Sequence, residues 1–313
     1  MINLKKIGVL LLVGLIFTGC GKEKENKINI GITQIIEHSA LDETVKGFKN
    51  ALLENGYGEE KVDIEYQNAQ GDFGTAQTIA SSYAQDKKDL VLAVSTPSAQ
   101  AMYNASKDIP ILITAVTDPI SVGLTGENIT GTSDMAPINK QVKLINTLLP
   151  NTETIGIVYN TSEENSIVLV NKLKEECLKY NYTLIEKGIT NVNEVGPALD
   201  VVLKEIDVLY TPTDNLIVAS TPIVLEKANK SNIPVIGCIE EQIKQGALAT
   251  ETIDYEKLGY QTGEIAIRVL NGEKTKDIPV ETLENTKLII NKETAKKLNI
   301  EIPYDLKERA EII

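Results

Sequence analysis

From residue 27 to residue 238 the chain alternates short, unbroken apolar runs with longer segments of helical period, and few folds accept that pattern. Leu90-Val91-Leu92-Ala93-Val94 is apolar at every position, and 111–116 nearly so. A strand with one face in water alternates polar and apolar residues, whereas a strand covered on both faces reads as a continuous run. The spacing predicts strands over 27–32, 62–67, 90–94 and 111–116, with helices over 41–55, 73–85 and 98–106 between them. Gly56 stands where the first helix needs a C-cap. The fold class that follows is α/β, a doubly wound parallel sheet with helices on both faces.

The same grammar restarts after Pro150. Strands are expected over 154–159, 183–189, 207–210 and 235–238, and helices over 165–180, 195–206 and 216–229. A faint repeat accompanies the restart. Leu90-Val91-Leu92-Ala93-Val94-Ser95-Thr96-Pro97-Ser98 parallels Asp207-Val208-Leu209-Tyr210-Thr211-Pro212-Thr213. Each stretch precedes a helix and then an Ile-Pro strand opener, Ile109-Pro110 and Ile233-Pro234. Two equivalent Rossmann-like lobes are expected, each large enough for its own core. A last helix over 255–270, closed by Gly272, then an extended segment over 287–290 and a helix over 292–298 return to these lobes.

The first twenty residues have a different grammar. Lys5 and Lys6 precede an apolar stretch, 7–17, too short to span a bilayer as a permanent helix but suited to a secretory signal peptide. Thr18-Gly19-Cys20, followed by a polar linker over 21–27, resembles a bacterial lipobox, with Phe17 where Leu is usual. The resemblance implies lipidation of Cys20, and the alternative is an uncleaved N-terminal anchor. Either way the chain is expected to be extracytoplasmic and tethered to a membrane. A net charge of −13 argues against nucleic acid and against a broad membrane-binding face. Beyond Cys20 the cysteines are Cys177 and Cys238, whose pairing spacing leaves open, and the one histidine is His38. No Cys/His cluster suggests a metal. No Walker loop or GxGxxG turn suggests a nucleotide, so no cofactor is expected. A single histidine removes most Ser–His and Cys–His catalytic designs. His38 reads as a loop or cap organiser.

In open α/β sheets ligands bind beyond the carboxyl ends of the strands. Those ends are polar in both lobes: Thr33-Gln34, Ser95-Thr96 and Thr117-Asp118, then residues 160–166, Thr213-Asp214-Asn215 and Glu240-Glu241. None carries Lys or Arg. Hydroxyls and amides at helix N-termini suit a small carboxylate. Asp118, Asp214 or Glu240 would suit an ammonium. Together they fit a zwitterion such as an amino acid. Singly, each is also an ordinary cap or turn residue. Phe73, after Gln70-Gly71-Asp72, would either stack on a ligand ring or pack into the core.

Several of these stretches resemble a family of ABC-transporter substrate-binding lipoproteins, the tryptophan/tyrosine group. They include Gly31-Ile32-Thr33-Gln34 with residues 37–42, residues 68–72, residues 95–100 and Ala115-Val116-Thr117-Asp118-Pro119. The second lobe adds residues 156–160 and 162–166, Gly246-Ala247-Leu248-Ala249 and Asp254-Tyr255. Ser39 departs from the Pro more usual in that family. The resemblance implies a type I periplasmic-binding-protein fold with three crossover segments. The implied lobes are 28–136 with 254–280, and 137–253 with 281–313. It further implies a monomeric receptor, partnered by an ABC permease, that captures tyrosine, tryptophan or phenylalanine without catalysis. One wall of the site would hold Ser95, Thr96, Thr117 and Asp118, and the other Ser162, Asn165, Ser166, Asp214 and Asn215. Gln34, Phe73 and Glu240 complete the expected ligand set. Asn165 and Ser166 are assigned to the carboxylate and Asp214 to the ammonium. A surface adhesin or sensor on the same fold is the rival reading.

Overall fold

The computed structural model describes residues 27–313, so the expected signal peptide and Cys20 lie outside the described residues. The chain opens with β1 (Ile28–Gln34), α1 (Ser39–Glu54), β2 (Val62–Asn68), α2 (Phe73–Gln85), β3 (Leu90–Val94), α3 (Thr96–Ala105), β4 (Ile111–Val116) and β5 (Ile129–Ser133). It then crosses to α4 (Ile138–Leu148), β6 (Thr154–Asn160), α5 (Glu164–Lys179), β7 (Thr183–Ile189), α6 (Val195–Val202) and β8 (Val208–Tyr210). There follow α7 (Asn215–Ala219), α8 (Thr221–Lys230), β9 (Val235–Ile236), α9 (Glu240–Lys244) and β10 (Ala249–Thr252). A second crossing returns to α10 (Tyr255–Leu270) and β11 (Glu281–Thr282). A third leads to β12 (Lys287–Ile290), α11 (Lys292–Lys297), α12 (Tyr304–Arg309) and β13 (Glu311–Ile312).

Two sheets share one strand order. The first runs β2-β1-β3-β4-β5 with β11 at its edge, and the second β7-β6-β8-β9-β10 with β12 and β13. The first is parallel throughout, whereas β12 runs antiparallel to β10 in the second. β3 and β8 hold equivalent places, which accounts for the sequence repeat that spans them. β11 pairs with β5, so the first sheet extends to Thr282, just past the 280 boundary expected from sequence.

The buried runs form as their patterns predict, since β3 and β4 have no exposed residue. The helix expected over 216–229 is instead two, broken at Ser220. Pro222 lacks an N–H, and its ring opposes helical backbone just before it. The first lobe's core of β1, β3 and β4 side chains continues into Val218, Cys238 and Ile239 of the second. The lobes therefore touch through packed apolar surface as well as through the crossings. Cys177 and Cys238 are free thiols, both buried.

Candidate functional site

The carboxyl edges of the two sheets face each other. In each sheet the chain leaves in opposite directions on either side of the central strand, β1 in one and β6 in the other. Ligands of doubly wound sheets bind at such a switch point. Along the first edge the order is Asp134 after β5, Thr117 after β4, Ser95 and Thr96 after β3, and Gln34 with Ile35 at β1. Ser95 has φ +80° and Ala115 φ +51°, left-handed backbone without glycine, at the ends of β3 and beside the end of β4. Strain of this kind collects where side chains must be aimed.

Of the cavities between the lobes, two border these strand ends. An enclosed one of about 20 Å3, room for roughly one water, is lined by His38, Thr117, Asp134, Asn165, Thr213 and Tyr255, among others. A larger one of about 500 Å3 lies between Ile35, Ile36, Gly71 and Phe73 of the first lobe and Ser162, Glu163, Val192 and Leu216 of the second. Asn215 lines both. Among the described residues neither is lined by Lys or Arg.

Asp134 is the carboxylate of the small cavity. The Tyr255 hydroxyl donates to its Oδ2 at 3.1 Å and the Thr117 hydroxyl to its Oδ1 at 3.4 Å. Burial pushes its pKa up to about 6, against the opposing effect of those donors. Around it are polar atoms with no partner: His38 Nδ1, Asn165 Oδ1 and Thr213 Oγ1. His38 Nε2 lies 3.3 Å from Asn215 Oδ1 across the cleft. Because the Asn215 amide nitrogen donates to Glu163, that oxygen accepts, so His38 carries its proton on Nε2 and Nδ1 is an acceptor. Burial lowers the His38 pKa to about 4, keeping the ring neutral.

The start of α3 offers the complementary chemistry. Ser95, Thr96 and Ser98 are buried there with unpartnered hydroxyls, and the Ser95 side chain makes no capping bond. Gln34 directs its Nε2 to the Ile36 carbonyl and to Asp42 Oδ1, both at 2.8 Å, leaving Oε1 unpartnered. Buried polar groups are normally satisfied, and an unmade bond costs about 1–3 kcal/mol. Orphans concentrated on one interface mark a surface built for a polar guest.

The sequence-derived set divides on this geometry. Gln34, Ser95, Thr96, Thr117, Asn165 and Asn215 gather at the strand ends bordering the cleft. Phe73 and Ser162 line the larger cavity, so Phe73 is no core residue and is 41% exposed. Four carboxylate and hydroxyl assignments need correction. Asp214 is spent inside its own lobe, with Oδ2 accepting from Asn160 N and from the Ser166 hydroxyl at 2.7 Å, and Oδ1 from Ile217 N at 2.9 Å. That bond commits Ser166 as well, so neither is free for the ligand groups expected of them. Asp118 folds back on Ser121, accepting from its N–H at 3.1 Å and its hydroxyl at 2.7 Å, and faces a separate groove. Glu240 pairs with Lys244 and Lys287 in a different cavity, shared with Glu43 and Asp254.

Sequence reasoning missed two carboxylates. Asp134 ends a strand too polar to be recognised. Glu163 lies within a polar strand end already noted, yet buried glutamate leaves no local signature. It is 3% exposed and accepts from Asn160, Asn165 and Asn215. Burial first, and the charge of nearby Asp214 second, hold it well above the usual carboxylate range.

Two equivalent doubly wound lobes, joined by three crossings and facing each other across an orphan-rich cleft, define a two-lobed binding protein of the type I periplasmic-binding-protein class. A leucine-binding protein from Thermotoga maritima, 12% identical, shares the fold with a TM-score of 0.64 over 78% of this chain and 83% of that one. The chain belongs to the ABC transporter substrate-binding protein family, which matches residues 29–312, and it is a binding protein rather than an enzyme. A tyrosine-binding protein of Clostridioides difficile is 48% identical, the alignment covering 96% of this chain and 94% of that protein. A Streptococcus pneumoniae domain solved in complex with L-Trp is 34% identical, with a TM-score of 0.89 over 92% of this chain and 100% of that one. The ligand-free, open structure of a Clostridium difficile substrate-binding protein with adhesive properties is 49% identical. Its TM-score is only 0.69, over 91% of this chain and 98% of that one. The more distant sequence superposes better, so the lobes here are disposed more as in the L-Trp-bound domain than as in that open structure.

Proposed function

We propose that this chain is the extracytoplasmic, lipid-anchored receptor of an ABC importer, capturing an aromatic amino acid between its lobes for a permease. The observation that carries the reading is the pairing of Asp134 and its orphan acceptors with the free hydroxyls at the start of α3, beside two cavities that no described Lys or Arg lines. A zwitterion answers both. Its ammonium sits on Asp134, with Thr117 and Asn165 alongside, and its carboxylate takes Ser95 and Thr96 at the positive end of the α3 dipole. The ring enters the larger cavity, whose Ile35, Ile36 and Leu216 supply apolar walls and whose Phe73 supplies an aromatic face. The tyrosine-binding and L-Trp-bound relatives support an aromatic side chain. The small cavity is too tight for an amino acid, so capture requires the lobes to part and reclose.

The test is a thermal-shift screen of the protein from Lys27 onward against all twenty amino acids, with ribose and nucleosides as controls. A ligand that binds only the folded state raises Tm. Shifts confined to tyrosine, tryptophan and phenylalanine are expected. Shifts with sugars or nucleosides alone overturn the reading. Lipidation is tested separately, since Cys20→Ser should move the full chain from the membrane fraction to the soluble one. The adhesive relative supports a second role in contact with another protein, on the same tethered fold.

A further inference from the structure

Resting on that reading, we propose that Glu163 accepts a hydrogen bond from a donor on the ligand's ring, and so selects tyrosine, and after it tryptophan, over phenylalanine. The two cavities assign the two ends of the ligand. About 20 Å3 around Asp134 accommodates an ammonium but no ring, whereas about 500 Å3 beside Glu163 accommodates a phenol or an indole. Glu163 lines only the larger space and Asp134 only the smaller. The other carboxylate in the larger cavity, Asp72, is exposed and already caps α2 through the Thr75 N–H at 2.6 Å.

The lone pairs of Glu163 are unevenly used. Its Oε2 accepts from the Asn165 side chain and from both the backbone and the side chain of Asn215. Its Oε1 accepts only from Asn160 Nδ2, at 3.2 Å, which leaves one lone pair unused on a side chain that is 3% exposed. A ring closing over this corner removes the water that could fill it. A phenol O–H or an indole N–H then restores the missing bond to a buried acceptor, where an unmade bond is costly. Phenylalanine cannot, and it leaves a buried carboxylate short of a partner. A site built to bond a ligand hydroxyl rejects the analogue lacking it far more strongly than an apolar pocket discriminates by shape.

Calorimetric titration of the protein with tyrosine, tryptophan, phenylalanine and O-methyltyrosine tests this directly. Tyrosine is expected to bind at least about tenfold more tightly than phenylalanine, and O-methyltyrosine no better than phenylalanine. In Glu163→Gln the tyrosine-to-phenylalanine ratio should fall to within about threefold. Equal affinity of the natural protein for tyrosine and phenylalanine overturns the proposal without any variant. So does an undiminished ratio in Glu163→Gln, or an equal loss of both ligands in a variant whose far-ultraviolet circular dichroism and melting are native. If no aromatic amino acid binds, the functional reading falls first and this assignment with it. If all bind alike, only this assignment falls.

Discussion

Asp134 concentrates the chemistry of the cleft, and its environment works against the free protein. Its pKa of about 6, against an ordinary 3.8, means that the folded state holds the proton more tightly than the unfolded chain. With the folded value above the unfolded one, the contribution of Asp134 to stability is fully present below pH 3.8 and is lost as pH rises through 6. The ionised group then costs the unliganded protein on the order of 3 kcal/mol. Asp134→Asn should therefore raise the Tm of the free protein at pH 7.5, while weakening amino-acid binding by about a hundredfold or more. Melting curves with and without tyrosine measure both effects. Binding itself needs the ionised form. Affinity should be flat above pH 7 and fall about tenfold by pH 5, read as Kd by calorimetry. Glu163, also raised by burial, acts with the same sign. His38, usually the first suspect in this range, stays neutral throughout and contributes nothing to the slope.

Elements made of unbroken apolar runs were legible in the sequence, and polar buried ones were not. β5, Ile129-Thr130-Gly131-Thr132-Ser133, offers no apolar run, yet every residue of it is buried. Its threonines are tolerated because each finds a partner in another element. Thr132 Oγ1 lies 3.1 Å from Thr114 Oγ1 and 2.8 Å from Thr262 Oγ1, and Thr130 donates to the Ile278 carbonyl at 2.8 Å. Two of these partners, Thr262 and Ile278, lie more than a hundred residues away and cannot be read from a local window. β10, Ala249-Thr250-Glu251-Thr252, was missed for the same reason: Glu251 is buried by bonds from Thr286 and Arg309. The strand-end rule found much of the cleft, but it could not tell a side chain free for a ligand from one spent internally, as Asp214 is. The close seating of α10 on α1 also escapes a sequence reading. A Cβ on Gly259 would fall inside contact of the Thr44 carbonyl oxygen, and one on Gly47 would meet that of Glu256. Alanine is the better helix former, yet Gly259→Ala should destabilise by about 2–3 kcal/mol through overpacking. A lowered denaturant midpoint with tyrosine's preference over phenylalanine intact is the expected result.

At the scale of the whole molecule the two lobes meet through few direct polar contacts. Gln100 donates to Glu164 Oε2 at 3.0 Å at the exposed rim, and His38 meets Asn215 inside. Rim contacts compete with water and contribute little, so Gln100→Ala should change Kd less than about fivefold. Asn215 both spans the lobes and holds Glu163, and Asn215→Ala should cost more than about tenfold. The sharpest test of the central claim is a crystal structure of the protein grown with L-tyrosine. The account predicts the amino acid between the lobes, its ammonium on Asp134, its carboxylate at Ser95 and Thr96, and its ring beside Phe73 and Leu216. Tyrosine bound elsewhere, or lying in the cleft with its ammonium on Glu163 and its ring turned toward Asp134, would contradict it.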